Sequence, residues 1–130
     1  MVIERKSEKD WGAVGEAAAA EHLEAKGYKI LERNFRYGRE GELDIVAEKD
    51  GTLVFVEVKM RRSDWFGSPE DSVTFGKRKQ IARMARAYVS LKNRMDTCCR
   101  FDVVSVLWEK GKPAVKSHHE DAFRPPSQKF

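Results

Sequence analysis

The spacing of apolar residues along the chain separates helical segments from extended ones. An alanine-rich stretch from Gly12 to Lys26, followed by Gly27, predicts a first helix with a glycine at its C-terminal cap. Residues 77–93 repeat apolar positions at helical spacing and predict a second helix. Its predicted inner face consists of Ile81, Ala85, Tyr88 and Leu91. Shorter runs of β-forming residues predict strands at 28–35, 43–47, 53–59 and 101–107.

This order of elements predicts an α/β fold. Helix, three strands, helix and strand in succession favour a mixed sheet flanked by helices. The run Val54–Val56 is apolar on both faces of its strand, which places that strand in the centre of the sheet. The segment after the last strand contains Pro113 and is predicted to be mostly irregular, with no role for His118 and His119.

Two acidic residues occupy positions that are predicted to be buried. Asp102 lies among strong β-formers and is expected to be structural and paired with an arginine, with a catalytic role as the alternative. The first helix carries a carboxylate on one largely apolar face, which consists of Ala13, Glu16, Ala20 and Leu23. A buried charge is costly unless it is paired, so Glu16 either reaches solvent at the helix edge or belongs to a polar site.

The turn at Asp50-Gly51 determines how the second and third strands pair. Asp-Gly between alternating apolar runs is a strong signal for a two-residue hairpin turn. With this turn, Asp44 lies directly opposite Glu57 on the same face of the sheet. A four-residue loop keeps this register, whereas a three-residue loop would place the two acids on opposite faces.

Two facing carboxylates require a cation or a proton between them. Glu16 and Glu42 add negative charge, and Lys59, two residues after Glu57 on the same face, cannot neutralise four carboxylates alone. Glu42 is also in register with Lys59, so a simple ion pair is its alternative. Oxygen-rich sites of this kind suit Mg²⁺ or Mn²⁺. Such a metal acidifies a water and stabilises charge on a phosphate, and Lys59 is placed to position either group.

Basic residues are concentrated next to these strands. From Lys77 to Arg94 there are seven basic residues and no acidic one. A solvated helix face is the plain interpretation, but beside an acidic metal site a basic surface suits a protein that cleaves a polyanion. Trp65 and Phe66, in a long loop at 60–75, either stack on bases or anchor the loop. The candidate nucleic-acid contacts are Arg61, Arg62, Lys77, Lys79, Gln80, Arg83 and Arg86.

Length and composition favour one globular domain. The chain has 130 residues, of which 41% are hydrophobic and 35% charged, and its net charge is +4. We expect a single domain over 1–130 with flexible ends at about 1–10 and 124–130. No apolar stretch approaches the ~18 residues of a membrane span. Adjacent Cys98 and Cys99 suit neither a disulfide framework nor a metal motif, which favours a reducing, cytoplasmic location.

Several segments together give a family resemblance. They are Gly15–Ala18, Gly27–Asn34, Gly41–Ala47, Val54–Lys59, Phe66–Pro69, Lys77–Gln80 and Arg100–Val104. The chain resembles the YraN family of small bacterial proteins. Its acids and lysine also resemble the PD-(D/E)XK nuclease pattern, with Leu43 where the motif's name has proline.

The resemblance implies a restriction-endonuclease-like αβββαβ core. It also implies Asp44 and Glu57 as metal ligands, Glu16 as an accessory acid and Lys59 as the catalytic lysine. Structural relatives of this kind include Holliday-junction resolvases, but the resemblance does not supply the substrate of this family. Junction-cutting relatives act as dimers, so a homodimer follows from the resemblance, although nothing in the sequence identifies a dimer surface.

The sequence therefore leads to one principal hypothesis and two rivals. The principal one is a Mg²⁺-dependent nuclease that hydrolyses phosphodiester bonds in DNA, with branched DNA among its substrates. The alternative is a non-catalytic module that binds nucleic acid or a protein partner on a nuclease scaffold. The third is a regulatory or assembly protein without nucleic-acid binding.

Overall fold

The computed structural model describes residues 8–39, 41–62 and 73–124, with side chains at 11–39, 41–61 and 73–124. The described chain forms two helices and five strands. In chain order they are α1 Glu8–Ala25, β1 Lys29–Arg36, β2 Glu42–Lys49, β3 Thr52–Arg62, α2 Phe75–Leu91, β4 Cys99–Glu109 and β5 Lys112–His119. The predicted αβββαβ order is confirmed, and β5 extends it.

The sheet has the strand order β1-β2-β3-β4-β5. Neighbouring strands are antiparallel except for β3 and β4, which are parallel. A parallel pair needs a long crossover connection, and α2 lies in that connection. The result is the predicted mixed sheet, with β3 at its centre.

The β2–β3 hairpin has the register that its turn predicts. Asp50 and Gly51 have φ angles of 51° and 80°, as the central residues of a type I′ turn require. The antiparallel ladder runs from this turn to the pair of Ile45 and Val56. One position further along, the two strands carry the predicted pair of acids.

The helix ends follow local signals in the sequence. Gly27 has a φ of +90°, and the Tyr28 amide donates to the Leu23 carbonyl oxygen at 3.0 Å across it, as in a Schellman cap. At the start of α2, the Thr74 hydroxyl accepts a hydrogen bond from the Lys77 amide at 3.2 Å. This cap places Lys77 in the first turn of α2.

Two apolar layers pack on the two faces of the sheet. The layer under α2 includes Leu53, Phe55, Ile81, Met84 and Tyr88. The layer under α1 includes Ala19, Leu23, Val54, Val56 and Val104. Alternate residues of β3 thus enter opposite layers, which confirms that this strand is covered on both faces.

The segment that was predicted to be irregular forms the edge strand β5. Lys110 and Gly111 have φ angles of 52° and 77° and make a second tight turn between β4 and β5. Pro113 is the second residue of β5. A proline is tolerated there because an edge strand has a free side that needs no ladder hydrogen bond.

Two predicted core positions are exposed. Leu91 is 56% exposed because it is the last residue of α2, at the end of the buried face. Ala13 is exposed as well, because the buried face of α1 is centred on Glu16, Ala19 and Leu23, and Ala13 lies at its margin.

Candidate metal centre

The candidate site lies where β2 and β3 separate. The Asp44 side chain reaches across the gap, and its Oδ2 accepts a hydrogen bond from the Val58 amide at 2.9 Å. Burial raises the pKa of Asp44, although the hydrogen bond from Val58 and the charge of Lys77 oppose this. Glu57 lies close enough to Asp44 for the two carboxyl groups to share a hydrogen bond.

Glu57 combines deep burial with two nearby ammonium groups. Its residue is only 7% exposed. The Nζ atoms of Lys59 and Lys77 lie 3.6 Å and 3.9 Å from its Oε1. Burial, followed by the charge of Asp44, raises the pKa of Glu57 to about 7 despite both lysines. The acid on β3 therefore has two cations beside it, one from its own strand and one from α2.

Glu16 reaches the same place from the other helix. It is 8% exposed, although α1 packs on the opposite face of the sheet from α2. Burial, followed by the charge of Asp44, raises its pKa to about 7, against a hydrogen bond from Asn34. The charge of Glu42 raises it further.

Three carboxyl groups other than that of Glu57 have oxygens that lie close together. One oxygen each from Glu16, Glu42 and Asp44 lies within 4.8 Å of the others. Oxygens on opposite sides of a Mg²⁺ ion with ligand distances of roughly 2.1 Å are about 4 Å apart, so small side-chain movements would let all three bind one ion. The donor set, which contains oxygen ligands and partly desolvated charge, fits a hard divalent cation.

Glu42, which the sequence left open between a site member and an ion-pair partner of Lys59, belongs to this group. Its expected partner was Lys59, but the structure pairs it with Arg36, whose Nε donates to Glu42 Oε2 at 2.8 Å. The β1–β2 ladder includes the pair of Arg36 and Glu42, whereas the β2–β3 ladder stops before Glu42 can lie opposite Lys59. Leu43 lies in the layer under α2 and Ile45 in the layer under α1, so side-chain alternation is broken between them and could not by itself place Glu42 beside Asp44.

Two of the predicted nucleic-acid contacts, Lys77 and Gln80, adjoin the site. Lys77 contacts Glu57, and Gln80 packs so closely on Gly41 that an added Cβ there would lie 2.4 Å from its Nε2. Lys79 and Arg83 are exposed on α2, while Arg61 and Arg86 are partly buried and engaged in interactions. Arg62 ends β3, but its side chain lies outside the described residues, as do Trp65, Phe66 and residues 1–7 and 125–130. Residues 8–10, expected to belong to a flexible end, form the start of α1.

A second polar cluster surrounds Asp102, which is completely buried. Arg100 donates to both of its oxygens at 2.9 Å, so the predicted pairing with an arginine is confirmed. His118 Nε2 lies 2.7 Å from Oδ2, and the Asp121 amide donates to Oδ1 at 2.9 Å. The expectation that His118 has no role is therefore wrong, because β5 carries this side chain back onto β4.

No helix within the described ranges of the chain is long and apolar enough to span a membrane.

Comparison with known proteins shows a family match over most of the chain. Residues 15–106 match the sequence model of the uncharacterised protein family UPF0102. A UPF0102 protein of Syntrophomonas wolfei is 50% identical over 115 residues, which are 88% of this chain and 98% of the relative. One from Geobacter metallireducens is 44% identical over 115 residues, covering 88% and 93% of the two chains. The matched range contains Glu16, Glu42, Asp44, Glu57 and Lys59.

Proposed function

The chain belongs to the uncharacterised protein family UPF0102. From the arrangement of its acids and lysine we propose that it is a metal-dependent nuclease of the PD-(D/E)XK type that hydrolyses phosphodiester bonds in DNA. The observation that carries the proposal is the meeting of buried acids and a lysine at the fork of β2 and β3. Asp44 and Glu57 face each other there, and Lys59 lies 3.6 Å from Glu57.

Side chains of this chain would supply both the ligands and the charge balance. Asp44, Glu16 and Glu42 offer converging oxygens, and Glu57 adds a fourth carboxyl beside Asp44. When bound, Mg²⁺ would acidify a water and offset the negative charge of a phosphodiester.

The lysines then have distinct tasks. The Lys59 ammonium group lies beside the Glu57 carboxyl group, and only 20% of the Lys59 side chain is exposed. From there its ammonium group can orient the attacking water or donate to a phosphoryl oxygen as negative charge develops. Lys77, at the start of α2, approaches Glu57 from outside with 33% of its side chain accessible, which suits a contact to the DNA backbone.

A second function is supported by the outer face of α2. Lys79 and Arg83 are exposed there, next to the first-turn residue that contacts Glu57. Such a face can bind a nucleic-acid backbone with no metal and no cleavage. Under this alternative, DNA binding would be salt-dependent and indifferent to loss of the acids.

Titration of Mn²⁺ into metal-free protein tests the proposal most directly. We expect wild-type protein to bind Mn²⁺ and Asp44→Asn to bind it at least ~10-fold more weakly, because a ligand that the Val58 amide positions is lost. The matched control is Asp50→Asn in the same hairpin, which is exposed and keeps a residue suited to its turn. It should bind like wild type.

The same three proteins should then be incubated with linear, flapped and branched DNA in Mg²⁺ and in EDTA. Cleavage by wild type and Asp50→Asn, and none by Asp44→Asn, is the expected result. Unaltered metal binding in Asp44→Asn would refute the site. Salt-dependent DNA binding that Asp44→Asn leaves unchanged, with no cleavage of any DNA by wild type, would favour the non-catalytic alternative.

A further inference from the structure

A cleft of about 300 Å³ opens beside the carboxyl group cluster. It is lined by Arg36, Gly38, Arg39, Gly41 and Glu42. Two of these residues are arginines and two are glycines, so the wall offers guanidinium donors and backbone with little side-chain bulk. Planar guanidinium groups match the oxygens of a phosphate. At Gly38 nothing lies within 4 Å of an added Cβ, so a ligand can approach the backbone there, whereas the same side of Gly41 is filled by Gln80.

One wall residue is shared with the metal centre. Glu42 lines the cleft and also contributes an oxygen to the group of three acids. Its neighbour across the strand is Arg36, which is fixed opposite it by the β1–β2 ladder. The cleft and the candidate metal centre therefore meet at a single carboxylate.

The ion pair at this junction is open to solvent on one side. Arg36 contacts Glu42 through Nε at 2.8 Å, and 74% of the arginine side chain is exposed, against 30% for Glu42. An exposed pair of this kind contributes little to stability. A guanidinium has five N–H donors, so the side chain can exchange this carboxylate for a phosphate at small cost.

We propose that this cleft binds a backbone phosphate of the nucleic-acid strand next to the metal centre, and that Arg36 and the metal ion compete for Glu42. This inference rests on the proposed nuclease function. In the metal-free protein, Arg36 neutralises Glu42. When Glu42 turns to the metal, Arg36 is released toward the cleft and is available to a phosphate.

The competition makes metal and DNA binding cooperative. A metal that frees Arg36 raises the affinity for a phosphate in the cleft, and by linkage a phosphate that holds Arg36 raises the affinity for the metal. Gln80, packed on Gly41, fixes the connection between β1 and β2 against α2, so that the cleft stays aligned with the acids.

The test uses Arg36→Gln in the full chain, with Lys29→Gln as matched control. Lys29 lies on the same strand and is exposed, but it is paired in register with Glu48 at the far end of β1. Binding of a short fluorescent DNA duplex, and of its single strand, is measured by anisotropy across a salt series, in EDTA and in Ca²⁺. Affinity for Mn²⁺ without DNA is measured by calorimetry, and thermal melting confirms folding.

We expect Arg36→Gln to bind Mn²⁺ more tightly than wild type, because the competing cation is gone. We expect it to bind DNA several-fold more weakly in Ca²⁺, with a salt slope smaller by about one. The gain in DNA affinity on adding Ca²⁺ should also be smaller than in wild type. Lys29→Gln should match wild type in the metal measurement and in the size of the Ca²⁺ effect.

Two results would overturn the inference. One is an Arg36→Gln protein whose DNA affinity and Ca²⁺ effect equal those of wild type. The other is wild-type protein that binds Mn²⁺ through Asp44 but binds neither DNA probe. Either result leaves the metal centre intact, whereas a wild-type protein without Mn²⁺ binding refutes the proposed function itself.

Discussion

Single carboxyl groups determine how this site responds to pH. The pKa values of Glu16 and Glu57 are both raised to about 7, first by burial and then by the charge of Asp44. Protons and a metal ion compete for these oxygens. Metal affinity should therefore fall as the pH drops below about 7.

The same shift affects folding stability in the metal-free protein. Between the unfolded pKa of 4.5 and the folded pKa of about 7, Glu57 binds more protons in the folded state. The free energy of unfolding therefore decreases as the pH rises through this range. Lowered pKa values, as for His22, act in the opposite direction and partly mask the effect in wild type.

A glutamine at position 57 isolates this contribution. In EDTA, the stability of Glu57→Gln relative to wild type should increase from pH 5 to pH 7.5, because only the wild type loses the benefit of its bound proton. Chemical denaturation of both proteins at several pH values measures the difference. A difference that is constant with pH would contradict the raised pKa.

Individual elements of the fold depend on a few backbone positions. Gly41 connects β1 to β2 with a φ of +133°, a conformation in which a side chain is strained. Gln80 of α2 fills the space where a Cβ would lie. This glycine therefore couples the strand that carries Glu42 and Asp44 to the helix that carries Lys77.

Gly41→Ala should destabilise the protein by roughly 2 kcal/mol or more, because it combines backbone strain with displacement of Gln80. The control is Gly38→Ala in the same connection, where φ is +65° and nothing lies within 4 Å of an added Cβ. It should cost about 1 kcal/mol. Denaturant unfolding compares the two, and equal losses would mean that the contact with Gln80 is unimportant.

β4 and β5 are joined by a buried carboxylate. Burial alone would raise the pKa of Asp102, but hydrogen bonds from His118 and Arg100 outweigh it and lower the pKa. Asp102→Ala should cost roughly 3–5 kcal/mol, since it removes the buried carboxylate that both Arg100 and His118 contact. Asp96→Ala, at an exposed position, should change stability by less than about 0.5 kcal/mol. Urea titrations of both variants test this, and similar losses would show that the cluster is not structural.

The whole molecule is basic although its candidate metal centre is acidic. The chain carries a net charge of +4, Lys77 of α2 contacts Glu57, and Lys79 and Arg83 are exposed further along the same helix. A polyanion is attracted to such a surface even though the centre itself is acidic.

Lys79→Gln with Arg83→Gln should weaken DNA binding and reduce the salt slope by up to about two, because two phosphate contacts are removed. A control pair, Lys29→Gln with Lys92→Gln, removes two positive charges elsewhere. Lys29 is the first residue of β1, and Lys92 is the C-cap of α2. Anisotropy titrations over a salt series distinguish the pairs. Equal slopes would indicate that net charge matters and the face of α2 does not.

The chemistry of nearby residues was enough to predict the hairpin. Asp50-Gly51 selects its turn, and the turn sets the register up to Ile45 and Val56, so the approach of Asp44 to Glu57 could be derived. The end of α1 at Gly27 and the burial of β3 on both faces could be predicted in the same way. These features depend on the conformations of adjacent residues and on alternation along one strand.

Contacts between distant segments could not be derived in this way. The convergence of Glu42 with Glu16, the approach of Lys77 to Glu57, and the strand β5 that brings His118 to Asp102 all depend on how elements pack. Glu16 lies close to Asp44 only because of where α1 packs along one face of the sheet, while α2 covers the other face. Local propensity does not encode such distances, because they result from the fit of two apolar layers against a central strand.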